Sequence, residues 1–186
     1  MKAPLYVALL HYPVYKKNGQ TIITSITPMD LHDIARTCAT YGVKRYYVVN
    51  PLPTMLYLAH RIAEFWSSDY GQNYNRSRTD ALALMRAKPV IEACIEEIEQ
   101  EEGQRPALIA TSAKPMENAI SFDAMAQRLQ TESRPQFLLL GTGYGLIREF
   151  MRRCDDTLEP IYGAGRYNHL SVRSAAAIML DRLCRT

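Results

Sequence analysis

The feature that most constrains this chain is a series of short apolar runs separated by stretches with helical period. Leu5–Leu10, Lys44–Val49, Ala107–Thr111, Gln136–Leu140 and the brief Pro160–Tyr162 read as five strands. Helices separate them. The first runs from Thr27-Pro28-Met29-Asp30, where Thr27 serves as N-cap and Pro28 loses no hydrogen bond, to Tyr41, with Gly42 closing it. Others are expected over Thr54–Trp66, over Thr79–Glu102 with a disturbance at Pro89, from Ser121 through Leu129, over Leu146–Arg153 and over Val172–Leu183. Strands separated by helices cannot pair through tight hairpins. The expected fold is therefore α/β, a mostly parallel sheet with helices on both faces. Ser67–Asn75 is polar and turn-rich and reads as a loop inside one domain spanning residues 1–186.

Composition narrows the function classes. Hydrophobic residues make up 47% and charged residues 22% of the 186, which suits a chain that buries a core. No apolar run approaches the roughly 18–20 residues of a membrane span, and the N-terminal apolar run lacks a cleavage-like end, so a cytoplasmic protein without membrane contact is expected. Cys38, Cys94, Cys154 and Cys184 are scattered, as are His11, His32, His60 and His169, so reduced thiols and no metal site are expected. The net charge of +3 is too small to identify a partner. Arg76, Arg78, Arg86 and Lys88 form one basic cluster, and Arg148, Arg152 and Arg153 another. The acidic run from Glu92 to Glu102 between them reads as a solvated helix face.

The strongest local motif is Phe137-Leu138-Leu139-Leu140-Gly141-Thr142-Gly143-Tyr144-Gly145-Leu146. An apolar strand enters a glycine turn that opens a helix, where glycines admit a ligand to the backbone and the helix start offers N–H groups. It is not a P-loop, because Gly-Lys-Ser/Thr is absent. The spacing GxGxG after about the fourth strand, with about 45 residues left, also fits a dinucleotide fingerprint poorly. A second glycine-bearing loop follows in Pro160-Ile161-Tyr162-Gly163-Ala164-Gly165-Arg166-Tyr167-Asn168-His169-Leu170-Ser171, with Val172-Arg173-Ser174-Ala175-Ala176-Ala177 opening the last helix. Ser171 or Asn168 is suited to cap that helix. Two such loops so close in sequence imply one pocket at the carboxyl ends of the strands.

Together these two motifs resemble the C-terminal motifs of the SPOUT class of RNA methyltransferases, and the whole chain looks similar to the guanine-N1 tRNA methyltransferase group. The specific part of the resemblance covers roughly residues 106–182. It implies a C-terminal trefoil knot, a homodimer, and S-adenosylmethionine held by backbone groups of three loops. On this chain those are Thr111-Ser112, then Gly141, Thr142, Gly143, Gly145 and Leu146, then Ile161, Gly163, Leu170 and Ser171. The Asn…Arg motif of the ribose-methylating branch is not found after Thr111, which favours a base nitrogen as acceptor, in tRNA or another structured RNA such as rRNA.

Methyl transfer from a sulfonium needs alignment, exclusion of water and removal of one proton. His169 is the best-placed titratable group, with Arg166 and Asn168 as contacts to phosphate or a base edge, and His11 as a further pocket candidate. Looped RNA is read by stacking and base-edge contacts. Tyr70, Tyr74, Arg76 and Arg78 are placed to supply them. The rival reading is a knotted module that binds S-adenosylmethionine or RNA without turnover.

Overall fold

The computed structural model describes residues 1–165 and 167–185. In chain order the elements are β1 (Leu5–Leu10), β2 (Val14–Tyr15), β3 (Thr21–Ile22), α1 (Pro28–Thr40), β4 (Arg45–Val49), α2 (Pro53–Ser67), α3 (Asp69–Tyr74), α4 (Arg76–Ala83), β5 (Met85–Lys88), α5 (Ile91–Glu102), β6 (Ala107–Thr111), α6 (Phe122–Thr131), β7 (Gln136–Gly141), α7 (Arg148–Met151), β8 (Asp156–Leu158) and α8 (Val172–Cys184). Six strands form one sheet in the order β5-β4-β1-β7-β6-β8, and every pairing in it is parallel. The small antiparallel ribbon β2–β3 stands apart from it.

β1 lies at the centre because its side chains are apolar on both sides. Leu5, Val7 and Leu9 enter a core beneath α1, α2, α4, α6 and α8. Tyr6, Ala8 and Leu10 enter a second core beneath α5, α7 and the ribbon. The period-2 alternation of a strand thus serves both layers of helices. β1 is flanked by β4 and β7, and the chain leaves those two strands toward opposite edges. This switch in winding direction falls between β1 and β7, and the carboxyl ends of strands at such a point are where open α/β sheets bind ligands.

Several local expectations are corrected. The single helix expected over Thr79–Glu102 is α4, an edge strand β5 and α5. β5 pairs with β4 alone, and its Arg86 and Lys88 are tolerated because an edge is half solvated. The expected strand at Pro160–Tyr162 is displaced to β8, which pairs with β6, and residues 160–162 have already left the sheet. Ser67–Asn75 is not a loop, since Asp69–Tyr74 forms α3. Gly71 permits this, because a Cβ there would lie 2.5 Å from the Phe65 carbonyl oxygen. The helix expected from Leu146 is one turn that starts at Arg148. The acidic run is only partly a solvated face. Glu97, Glu101 and Glu102 pair with Lys88, Arg45 and Lys44 along the β4–β5 side, and Glu102 accepts a hydrogen bond from Tyr6.

Candidate active site at the carboxyl edge of the sheet

Three loops meet at the carboxyl edge. The first follows β6. Its Thr111 is buried, and the hydroxyl donates to the Leu139 carbonyl of β7 at 2.9 Å, so this side chain ties two strands together. Ser112 accepts from the Lys114 N–H at 3.0 Å and shapes the turn. The Ala113 carbonyl accepts from the Asn168 amide at 2.7 Å, which brings the third loop onto the first. A second tie lies nearby: the Glu159 carboxylate accepts from the Phe122 N–H at 2.7 Å, and the Glu159 N–H donates to the Ile120 carbonyl at 2.9 Å.

The glycine turn after β7 forms the second loop. Gly141 must lack a side chain, because a Cβ would lie 2.8 Å from the Leu146 amide nitrogen and 2.9 Å from its Cγ. Gly143 and Gly145 have φ of +59° and +93°, a region that L side chains rarely adopt. The turn does not simply open a helix. It is seated on the β2–β3 ribbon: the Tyr144 N–H donates to the Tyr15 carbonyl at 2.9 Å, the Tyr15 N–H donates to the Gly145 carbonyl at 2.9 Å, and the Arg148 N–H donates to the Tyr15 hydroxyl at 3.2 Å. Leu146 is buried and pairs with Val14.

Beneath this turn lies a hydrogen-bonded chain. The Thr142 hydroxyl lies 3.1 Å from the Leu10 carbonyl and 2.5 Å from the Thr24 hydroxyl, which lies 2.9 Å from His11 Nδ1. Only one direction satisfies all three contacts, since the carbonyl can only accept. His11 Nδ1–H donates to Thr24, Thr24 to Thr142, and Thr142 to Leu10. The Asn50 amide holds the Thr24 carbonyl at 2.9 Å. His11 Nε2 is buried without a hydrogen-bond partner, and burial lowers the pKa of this ring to about 4, so it is neutral at pH 7. His11 therefore supports the turn from below and is not exposed to a ligand. Thr24 and Tyr15 escaped the sequence reading. They stand 118 and 129 or more residues from the turn they hold, and no local pattern marks them.

The third loop is open. Tyr162, Gly163, Ala164, Gly165, Tyr167, His169 and Leu170 are exposed, and Ile161 is buried. Among the described residues, none from Pro160 to Leu170 forms a hydrogen bond between backbone groups. The His169 ring meets the Tyr167 ring edge to face at 5.5 Å between centroids. Ser171 caps α8 by accepting from the Ser174 N–H at 3.2 Å. Arg173, in the first turn of α8, pairs with Asp30 of α1 at 3.3 Å. Arg166 lies outside the described residues. Arg76 is exposed at the start of α4, whereas Arg78 is half-buried with its guanidinium 4.7 Å from the Trp66 ring centroid. A shallow depression of about 350 Å³ between α1 and α8, lined by Asp33, Arg36, Thr37, Thr40, Tyr41 and Ala177, contains none of the expected site residues. The loops fit a ligand better, because their free backbone groups and glycines gather at the carboxyl edge of β7, β6 and β8, on one side of the switch in winding.

Comparison with known proteins fits this geometry. A family described as SAM-dependent RNA methyltransferase matches residues 4–185. An uncharacterized protein of Aquifex aeolicus is 41% identical over 179 residues, covering 96% of this chain and 87% of the relative. A tRNA (guanine-N1)-methyltransferase of Oleidesulfovibrio alaskensis is 40% identical over 179 residues, again 96% of this chain but only 41% of the relative. The SpoU methyltransferase AviRb of Streptomyces viridochromogenes shares the fold, with a TM-score of 0.61 at 20% identity over 100% of this chain and 60% of that one. With a family match over residues 4–185 and relatives 40% and 41% identical across 96% of its length, the chain belongs to the S-adenosylmethionine-dependent RNA methyltransferases.

Proposed function

We propose that this chain methylates a base nitrogen of tRNA, with guanine N1 as the acceptor, and that its three carboxyl-edge loops form one cofactor site. The observation that carries the reading is the open third loop, pinned to the first by Asn168 and Ala113. S-adenosylmethionine offers many polar atoms on a small scaffold, and a loop with unused backbone N–H and C=O groups fits such a ligand. Exposed glycines at 143, 163 and 165 let that backbone approach closely. The choice of tRNA and guanine N1 follows the name of the Oleidesulfovibrio relative, of whose length this chain spans 41%.

The division of labour follows from the residues. When bound, S-adenosylmethionine supplies an electrophilic methyl group on a sulfonium sulfur. The backbone of Ile161, Gly163 and Leu170 and the turn from Gly141 to Leu146 hold it, while Thr111, Ser112, Thr142 and Ser171 shape the loops around it. His169 takes the proton that leaves the acceptor nitrogen, and Asn168 keeps its loop in reach. Arg166 contributes a contact to phosphate or base. Arg76, with Arg78 beside it, supplies positive charge to the RNA. Glu159 and Asn168 tie the segment after β8 to the loop after β6, which supports a tail threaded as a trefoil knot. The exposed apolar rim of Tyr162, Tyr167 and Leu170 supports a second copy of the chain closing the acceptor entrance. Among the described residues no helix is long and apolar enough to cross a membrane, and we place the enzyme in the cytoplasm with its tRNA.

The test is transfer of labelled methyl to bulk tRNA, followed by digestion to nucleosides. The reading expects label in N1-methylguanosine. Label in a 2′-O-methyl nucleoside, or none, would overturn the choice of atom or of catalysis.

A further inference from the structure

The face formed by α2, α3 and the start of α4 takes no part in the three loops, yet it exposes an unusual number of rings. Phe65, Tyr70 and Tyr74 are 49%, 65% and 69% exposed. They are not scattered. Tyr70 and Tyr74, one helical turn apart on α3, lie with ring planes 9° from parallel and centroids 5.9 Å apart. Phe65 at the end of α2 meets Tyr70 at 5.9 Å. Trp66, buried beneath, meets Phe65 at 5.2 Å and Tyr74 at 6.4 Å. The Arg78 guanidinium stacks on Trp66 from another side. Upstream on α2, exposed Tyr57 and Arg61 precede Phe65 at intervals of four residues, so one further ring and a cation, paired with Glu64 at 2.9 Å, continue the stripe along this helix. Arg76 is exposed at its border.

The stripe is connected to the candidate site. The His32 ring, in the first turns of α1, meets Trp66 edge-on at 5.9 Å. Asp30, two residues earlier, holds Arg173 directly after the third loop. The aromatic stripe and the methyl-transfer loops therefore border the same N-terminal turn of α1.

We propose that this stripe is a stacking platform for unpaired bases of the RNA substrate, with Phe65, Tyr70 and Tyr74 as contact rings and Trp66 and Arg78 as their support. The inference rests on the RNA reading given above and adds the part of the RNA that is gripped. Flat rings with polar tips beside exposed arginine suit nucleobases, since each base offers a π-face and each nucleotide a phosphate. An A-form duplex hides its base faces, so the platform selects single-stranded or looped RNA.

The test measures anisotropy of a short fluorescein-labelled single-stranded RNA, and of a duplex of the same length, on wild-type protein, Tyr70→Ala/Tyr74→Ala and Tyr70→Phe/Tyr74→Phe. The alanine pair is expected to bind the single strand at least about fivefold more weakly, the factor one base stack supplies at the low end of its range. The phenylalanine pair keeps its rings and is expected to bind like wild type, and S-adenosylhomocysteine affinity is expected to be equal in all three. Should the alanine pair melt early, Phe65→Ala carries the same expectation. Equal RNA affinity in the alanine and wild-type proteins overturns the platform and leaves this face to a protein partner, while the methyltransferase reading stands. Failure of wild type to bind either RNA also overturns the platform, whereas the RNA reading it rests on falls only if the methyl-transfer assay on bulk tRNA gives no label.

Discussion

Replacing Thr24 by valine tests how the glycine turn is held. The change conserves shape and removes one hydroxyl, which sits between His11 Nδ1 at 2.9 Å and the Thr142 hydroxyl at 2.5 Å. Thr142 keeps its bond to Leu10, but the buried His11 Nδ1–H loses its acceptor. Leaving that buried donor orphaned costs about 1–3 kcal/mol, and a destabilisation of that size is expected. For a chain of this size that lowers the melting temperature by about 2–12 °C. Urea denaturation of Thr24→Val, His11→Leu and the double variant closes a cycle. Because removing both partners leaves no orphan, the double variant is expected to recover at least about 1 kcal/mol relative to the sum of the singles. Calorimetry with S-adenosylhomocysteine is expected to show weaker binding in Thr24→Val, since Thr142 anchors the turn. A change below about 0.5 kcal/mol, or strict additivity, would refute the hydrogen-bonded chain.

Other consequences follow from single residues. Gly141→Ala places a Cβ 2.8 Å from a backbone nitrogen, so it is expected to weaken S-adenosylhomocysteine binding at least tenfold by calorimetry or to lower the yield of folded protein. Asn168→Ala frees the third loop from Ala113 and is expected to raise the S-adenosylhomocysteine Kd about tenfold, with a melting temperature within about 3 °C of wild type, because the bond joins exposed segments. His11 has a folded pKa near 4, below its unfolded value. The unfolded chain therefore binds the proton first, and stability falls as pH drops from about 6.5 through 4, by about 3 kcal/mol when complete. Urea titrations of wild type and His11→Leu across that window are expected to diverge, with the shallower slope in the variant.

Much of the sheet was readable because burial on both faces demands apolar strands. β1, β4, β6 and β7 each appear as a near-continuous apolar run. α1 announced itself through Thr27, Pro28 and Asp30, and the structure forms that cap. The two edge strands did not stand out. β5 and β8 are short and partly polar, and they exist because β4 and β6 offer an unpaired edge, a tertiary cause without local sequence pattern. α3 looked like a loop because it is polar and contains Gly71, yet that glycine is what lets it turn tightly against the end of α2. At the site, the glycine turn and the open loop were legible as motifs. The ribbon that covers the turn was not, since Tyr15 reaches Gly145 across 130 residues. Thr111 and Ser171 illustrate a further limit. Their residue types suit a ligand site, but the hydroxyl of one braces β7 and that of the other caps α8.

The central claim, that three carboxyl-edge loops form one site for S-adenosylmethionine, is tested most directly by amide chemical-shift mapping with S-adenosylhomocysteine. The claim predicts shifts concentrated in residues 111–113, 141–146 and 161–171. Shifts confined to the depression between α1 and α8, or to the ribbon alone, would contradict it.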